Sequence, residues 1–163
     1  MEVELRKMSL SDTENVVKWR NSPNVKKNLY SQENITAEQH AGYFKKYVET
    51  GKIKQFIIVA DGVDCGTAFL KNIDIDKKEA EFGIFIGEDE YRGKGLSPIV
   101  AKKVAAFGFN DLCLKKIYLT VFEDNIAAIK GYIRAGFKQT GKIENGYCRD
   151  GVFYNIIEME IEK

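Results

Sequence analysis

At 163 residues the chain has the length of one ordinary domain, enough to bury roughly 70% of its unfolded surface. Hydrophobic residues make up 44% and charged residues 30%, a globular mix that excludes an intrinsically disordered chain. Lys+Arg 25 against Asp+Glu 24 leaves a net charge of +1, so no global field draws nucleic acid or anionic lipid, and any anion site must be local.

No apolar run approaches the ~20 residues of a membrane span, and Val3 to Lys7 lacks a signal-peptide core. Cys65, Cys113 and Cys148 form no closely spaced framework. A cytoplasmic domain is expected, with neither membrane nor nucleic acid as partner. Its oligomeric state is open, a homodimer being one option.

In chain order, Val3 to Lys7 reads as a strand and a helix opens at Ser11 or Asp12, runs to about Arg20 and is ended by Pro23. Asn24 to Asn34 is polar and poorly periodic, a loop with room for one helical turn. Thr36 and Gln39 form a capping box, and the helix they open should stop at Gly51. Three strands follow: Lys54 to Ala60, Val63 to Ile73 and Glu79 to Ile86, the first two joined by an Asp61-Gly62 hairpin. Pro98, with Ser97 as cap, marks the next helix, whose stripe is Ala101, Val104, Ala105, Gly108 and Leu112. Lys116 to Phe122 is a strand and Asn125 to Ala135 a helix closed by Gly136. Phe137 to Ile143 and Val152 to Ile161 complete the set, with a turn at Arg149-Asp150-Gly151. The order predicts a single α/β (α+β) domain over residues 1–163, with a mixed, mostly antiparallel sheet of about seven strands and helices on both faces.

Several chemistries lack their parts. There is no GxxxxGK[ST] loop, no third glycine after Gly93-Lys94-Gly95, and no GxSxG elbow. His40 is the only histidine, so no metal is expected.

Two segments carry chemistry. Arg92-Gly93-Lys94-Gly95-Leu96-Ser97 stands between a strand and a helix. Its glycines let successive amides converge, and at a helix start those amides and the dipole attract an anion such as a pyrophosphate, with Arg92 and Lys94 adding charge. The bland alternative is a solvated glycine turn. Further on, Asn125, Ala128 and Tyr132 stand at i, i+3 and i+7, lining one helix face over about 10.5 Å, which suits an extended ligand. Ile126, Ile129 and Ile133 are expected to pack on the sheet.

Together these segments resemble the GNAT N-acetyltransferase superfamily. Its Q/R-x-x-G-x-G/A loop is matched by Arg92 to Ser97, and its N-x-x-A…Y…G-F pattern by Asn125, Ala128, Tyr132, Gly136 and Phe137, in the family's order. Ser97-Pro98 departs from the family's usual small residue and helix continuation, and Pro98 offers no amide. The resemblance implies direct acetyl transfer from acetyl-CoA, as co-substrate, to a primary amine. Arg92, Gly93, Lys94, Gly95, Leu96, Ser97, Asn125 and Ala128 would hold the CoA, and Tyr132 would serve as general acid for its sulfur. Gly83, in an apolar strand, suggests a bulge or close backbone approach. That matches the splayed strand of the family, whose amides here would lie around Ile84 to Ile86, with Phe85 and Ile86 against the cofactor. Glu81 shares a strand face with Gly83 and Phe85 and is the candidate base, with His40 and Glu123 behind it.

For the acceptor, Trp19-Arg20-Asn21-Ser22-Pro23, then Lys26-Lys27, then Ile35 to His40 are similar to the nucleotide-sugar N-acetyltransferases of pseudaminic-acid biosynthesis. One departure is Gln39 between Glu38 and His40. The resemblance implies the 4-amino group of a UDP-linked deoxy amino sugar as substrate. Trp19, Arg20, Asn21, Lys26, Tyr30 and His40 would be the binding residues. The residue-level alternative is that Trp19 is core and the lysines ordinary surface. Spermidine and ribosomal-protein N-terminal acetyltransferases share the loop, and a polyamine would call for an acidic groove, for which Asp74, Asp76, Glu79, Glu88, Asp89 and Glu90 are available. A non-catalytic acyl-CoA-binding module is the remaining alternative, against which Tyr132 argues.

Overall fold

The computed structural model describes residues Met1–Lys163. Seven strands, β1 (Val3–Lys7), β2 (Lys54–Ala60), β3 (Val63–Asp74), β4 (Glu79–Ile86), β5 (Lys116–Phe122), β6 (Lys138–Arg149) and β7 (Val152–Glu162), form one sheet in the order β1-β2-β3-β4-β5-β7-β6. Every neighbouring pair is antiparallel except β4–β5. Helices α1 (Thr13–Asn21), α2 (Pro23–Lys26), α3 (Ala37–Tyr43), α4 (Leu96–Asn110) and α5 (Ile126–Ala135) complete the fold.

The helices bury opposite faces of the sheet. Val100, Ala101 and Val104 of α4 meet Leu70, Ala80 and Ile117, whereas Val16 and Trp19 of α1 pack with Met8 and Ile57. Near Gly108 of α4, an added Cβ would lie 2.8 Å from Ile117, so the small residue sets how closely that helix approaches the sheet.

The feature that creates a site is the β4–β5 junction. These strands pair only over Glu79–Glu81 with Lys116–Tyr118 and then diverge. Beyond that point the β5-facing backbone groups of Gly83–Ile86 have no strand partner, and a groove opens between them and Thr120–Phe122.

Some local expectations are corrected. Pro23 does not merely end a helix: it is the first residue of the one-turn α2, where its missing N–H costs nothing. The helix from Thr36 stays α-helical only to Tyr43 and continues as a π turn over Phe44–Val48. β6 runs six residues beyond Ile143, since bulges at Gln139/Gly141 and Ile143/Tyr147 carry the pairing past its polar, glycine-containing stretch. Gly83 lies in continuous pairing opposite Phe69 with no bulge. A Cβ there would sit 2.2 Å from the Phe69 ring, so the glycine makes room for a side chain and not for a backbone. On α5 only one of the three isoleucines packs as expected, Ile129 lying against the core. Ile126 and Ile133 are 55% and 57% exposed, while Gly131, Tyr132 and Ala135 are buried.

Candidate active site

The groove widens into a cavity of about 1200 Å³ that runs from the start of α4 across the β4–β5 split to α1, α2 and α3. One end is an anion cradle. Gly95 caps α4 in the left-handed region (φ 78°, ψ 20°) without any side-chain cap, leaving the first amides of the helix to a ligand. Ser97 and Pro98 are therefore the second and third helical residues, not the cap and first helical residue as expected. Pro98 thus falls where a helix amide has no partner within the helix, and the chain loses only one prospective contact. Gly93 is also left-handed (φ 68°), and a Cβ at either glycine would meet nothing within 4 Å, so the loop faces open space. Arg92 Nε donates to Asp89 Oδ1 at 3.0 Å, and its Nη2 is buried without a partner. Arg92, Gly93, Gly95, Leu96 and Ser97 line the cavity, although the Leu96 side chain itself is core at 2% exposure. Lys94 is exposed and off the wall.

The floor comes from α5. Asn125 caps it, its side chain accepting from the Ala128 amide at 3.4 Å, and Asn125, Ala128 and Tyr132 all face the cavity. Tyr132 is wedged against Phe82 and Phe137, with ring centres 6.0 and 5.9 Å away. Burial pushes its pKa up to about 12, so the hydroxyl keeps its proton at neutral pH and is available to donate it. Phe85 and Ile86 form the β4 wall.

The other end of the cavity lies under α1–α3. Arg20 lines it, with Nη1 buried and unpartnered, and burial lowers its pKa from the ordinary value. Tyr30 and Lys27 line the same end. His40 is 4% exposed, its Nδ1 is 3.0 Å from Thr13 Oγ1 and its Nε2 is buried and free. Burial lowers the His40 pKa, against an opposing pull from Asp12, so the ring is neutral at pH 7. Glu81 reaches the cavity from β4, accepting from Asn72 at 3.1 Å with Lys71 Nζ at 3.6 Å.

Three predicted acceptor residues are not on this wall. Trp19 is 1% exposed and donates Nε1 to Glu88 Oε1 at 2.6 Å, a core residue that closes over Gly87. Asn21 braces the following loop, donating to the Ile35 carbonyl and accepting from its amide, both at 2.8 Å. Lys26 is held by Asn34 at 2.7 Å. Glu123 likewise lies off the cavity, paired with Lys142 at 2.7 Å. None of Asp74, Asp76, Glu79, Glu88, Asp89 and Glu90 lines the cavity, so the acidic groove does not form there.

Sequence reasoning missed Tyr43 and Gln55. Tyr43 donates to Gln55 Oε1 at 2.8 Å, Gln55 donates to Thr67 at 3.0 Å, and Thr67 donates to the Phe56 carbonyl at 2.8 Å. The signal was available: Gln55 is the one amide side chain in the strand Lys54–Ala60, a place where a polar group needs a buried partner.

An extended cavity with an uncapped helix start at one end, a buried phenol at its middle and a polar pocket at the other defines a group transferase for a phosphate-bearing donor. The family model for the acetyltransferase (GNAT) domain matches residues 2–138. The chain belongs to this family and is an acetyl-CoA-dependent N-acetyltransferase. It is similar to the spermidine N(1)-acetyltransferase of Escherichia coli (strain K12), 29% identical over 157 residues that cover 96% of this chain and 84% of that one. It is also similar to the acetyltransferase PseH of Campylobacter jejuni, 26% identical over 149 residues, 91% of this chain and 87% of the other. The fold matches that of a spermidine N-acetyltransferase from Vibrio cholerae solved with CoA and spermine, at TM-score 0.91 and 23% identity, covering 98% of this chain and 95% of that one. Acetyl-CoA is the co-substrate, and the orphaned Arg92 Nη2 beside the uncapped α4 fits its pyrophosphate.

Proposed function

We propose that the chain acetylates the 4-amino group of a UDP-linked deoxy amino sugar. The observation that carries this reading is the charge of the acceptor end. Arg20 is half-buried with no carboxylate partner and an orphaned Nη1, the exposed Lys27 lines the same cavity, and Glu81 is the one carboxylate of the whole cavity, engaged by Lys71. A desolvated guanidinium is costly until an anion completes it, and a nucleotide diphosphate is such an anion. A polycation would meet the opposite field. Similarity to the PseH acetyltransferase over 91% of the chain adds to the reading.

When bound, acetyl-CoA supplies an activated thioester carbonyl. The chain's own parts divide the remaining work. Arg92, Gly93, Gly95 and Ser97 hold the pyrophosphate, with Lys94 adding charge from outside the wall. Asn125 and Ala128 align the pantetheine arm along α5, and Phe85 and Ile86 flank it. Within Ile84–Ile86, the amides of Ile84 and Ile86 face the β4–β5 split without a strand partner and would donate to the carbonyl oxygen. Glu81 takes the proton from the acceptor amine, and Tyr132 Oη holds a proton for the sulfur. Arg20 and Lys27 meet the diphosphate, Tyr30 packs on the sugar or base, and His40 Nε2 bonds a polar group of the acceptor. The free thiols of Cys65, Cys113 and Cys148 agree with a cytoplasmic setting.

The test is Arg20→Ala. Losing one charge-assisted contact costs about 1.5–3 kcal/mol, so the KM for a UDP-linked 4-amino sugar should rise roughly 10- to 150-fold while that for acetyl-CoA stays unchanged. An unaltered acceptor KM would remove Arg20 from the acceptor site and the diphosphate reading with it.

A further inference from the structure

The strip Lys27–Tyr30 forms part of the acceptor wall yet belongs to no helix or strand. Backbone outside a ladder must find its partners elsewhere. Here the carbonyls of Lys27, Leu29 and Tyr30 find partners on the β6–β7 hairpin, 117 to 122 residues along the chain. Arg149 Nη2 donates to the Leu29 carbonyl at 2.7 Å, Arg149 Nη1 to the Lys27 carbonyl at 3.3 Å, and the Tyr147 hydroxyl to the Tyr30 carbonyl. On the near side the amides of Lys27, Asn28 and Leu29 close onto the carbonyls of Pro23, Val25 and Lys26 at 3.1, 3.2 and 3.0 Å, and the Gln32 side-chain amide reaches the carbonyls of Lys26 and Leu29 at 2.6 and 2.8 Å.

The surroundings of Arg149 are unusual for a hairpin end. Its guanidinium carbon lies 5.5 Å from the ring centres of Tyr147 and Tyr154 and 5.7 Å from that of Phe122. Tyr30 closes the cluster, 5.2 Å from Phe122 and 5.3 Å from Tyr147, with its hydroxyl 2.8 Å from Thr120 Oγ1. No carboxylate pairs with Arg149, and its Nε is buried without a partner. A surface hairpin could hydrate or pair such a charge at little cost. This one holds it among aromatic faces and aims both prongs of the fork at one strip of backbone, which only a flat, two-pronged cation can do.

We propose that Arg149 is a positioning residue for the acceptor. It latches Lys27–Tyr30 to the β6–β7 hairpin and thereby fixes where the Lys27 and Tyr30 side chains meet the amine-bearing substrate. The inference rests on the reading that this strip lines the acceptor half of the site, and not on which acceptor binds there.

Two variants test it, with acetyl-CoA and a UDP-linked 4-amino deoxy sugar as substrates and hydrogen exchange as a readout that needs neither. Arg149→Met keeps the apolar stem without the fork, and Arg149→Lys keeps the charge but cannot span both carbonyls. Both should raise the acceptor KM by about 10-fold or more, leave the acetyl-CoA KM within about 2-fold, and speed exchange over residues 27–34 alone. Unchanged exchange over that strip overturns the latch. So does a lysine variant with a normal acceptor KM, or faster exchange throughout β6 and β7 with both KM values rising together. Arg20→Ala, measured alongside, separates the two readings. A raised acceptor KM there and none in Arg149→Met overturns the latch and leaves the acceptor reading standing, whereas no change in either overturns both.

Discussion

Tyr132→Phe is expected to lower turnover by about 100-fold or more while acetyl-CoA binds as before. The substitution removes one oxygen from a ring wedged between Phe82 and Phe137, so neither packing nor the α5 backbone should change. Burial holds the hydroxyl protonated well past neutrality, with a pKa of about 12. In the proposed mechanism it is the O–H donor that would stabilise charge on the departing sulfur, and the phenylalanine ring supplies nothing in its place. Single-turnover rates with saturating acetyl-CoA, beside a directly measured Kd for the same ligand, check both halves of the expectation. Near-normal turnover would assign the proton to water or to the acceptor itself.

Gly95→Val should abolish most of the stabilisation that acetyl-CoA confers. A ligand bound only by the folded chain adds about 2.7 kcal/mol at 100 times its Kd, or roughly 5–10 °C in Tm for a domain of this size. Gly95 holds φ 78° as the cap of α4, a conformation that a β-branched residue adopts only under strain. Its Cβ position is open, so the cost falls on the turn and on the ligand's space and not on the core. The Tm without ligand should fall by the strain of the turn, about 1–3 kcal/mol or roughly 2–12 °C, while the ligand-induced shift disappears; Gly95→Ala should lie between. An intact shift in Gly95→Val would remove the cradle from this loop.

How much of this was legible in the sequence follows the range of the interactions involved. Arg92 to Ser97 and the row Asn125, Ala128 and Tyr132 are local patterns, and the structure places both at one cavity. The strands and most helix ends are local too, set by alternation, caps and two-residue turns. What failed was longer in range. Trp19 lies between Lys18 and Arg20, and only the Val16–Met8–Ile57 cluster and the Glu88 carboxylate make it core. On α5, three isoleucines look like the buried face, yet only Ile129 packs on the core, and Tyr132 and Ala135 are buried beside it because Phe82 and Phe137 receive the ring. Arg149 reads as a turn residue before Asp150-Gly151. Its partners Lys27 and Leu29 lie at the far end of the chain, and no spacing announces them.

The most direct test of the account is a thiol-release comparison of kcat/KM for three acceptors under one acetyl-CoA concentration: a UDP-linked 4-amino deoxy sugar, spermidine and an N-terminal peptide. With Arg20 and Lys27 at the acceptor end and Glu81 as the cavity's single carboxylate, the UDP sugar should exceed both others by about 100-fold or more. Spermidine or the peptide outperforming every UDP-linked amino sugar would contradict the acceptor assignment.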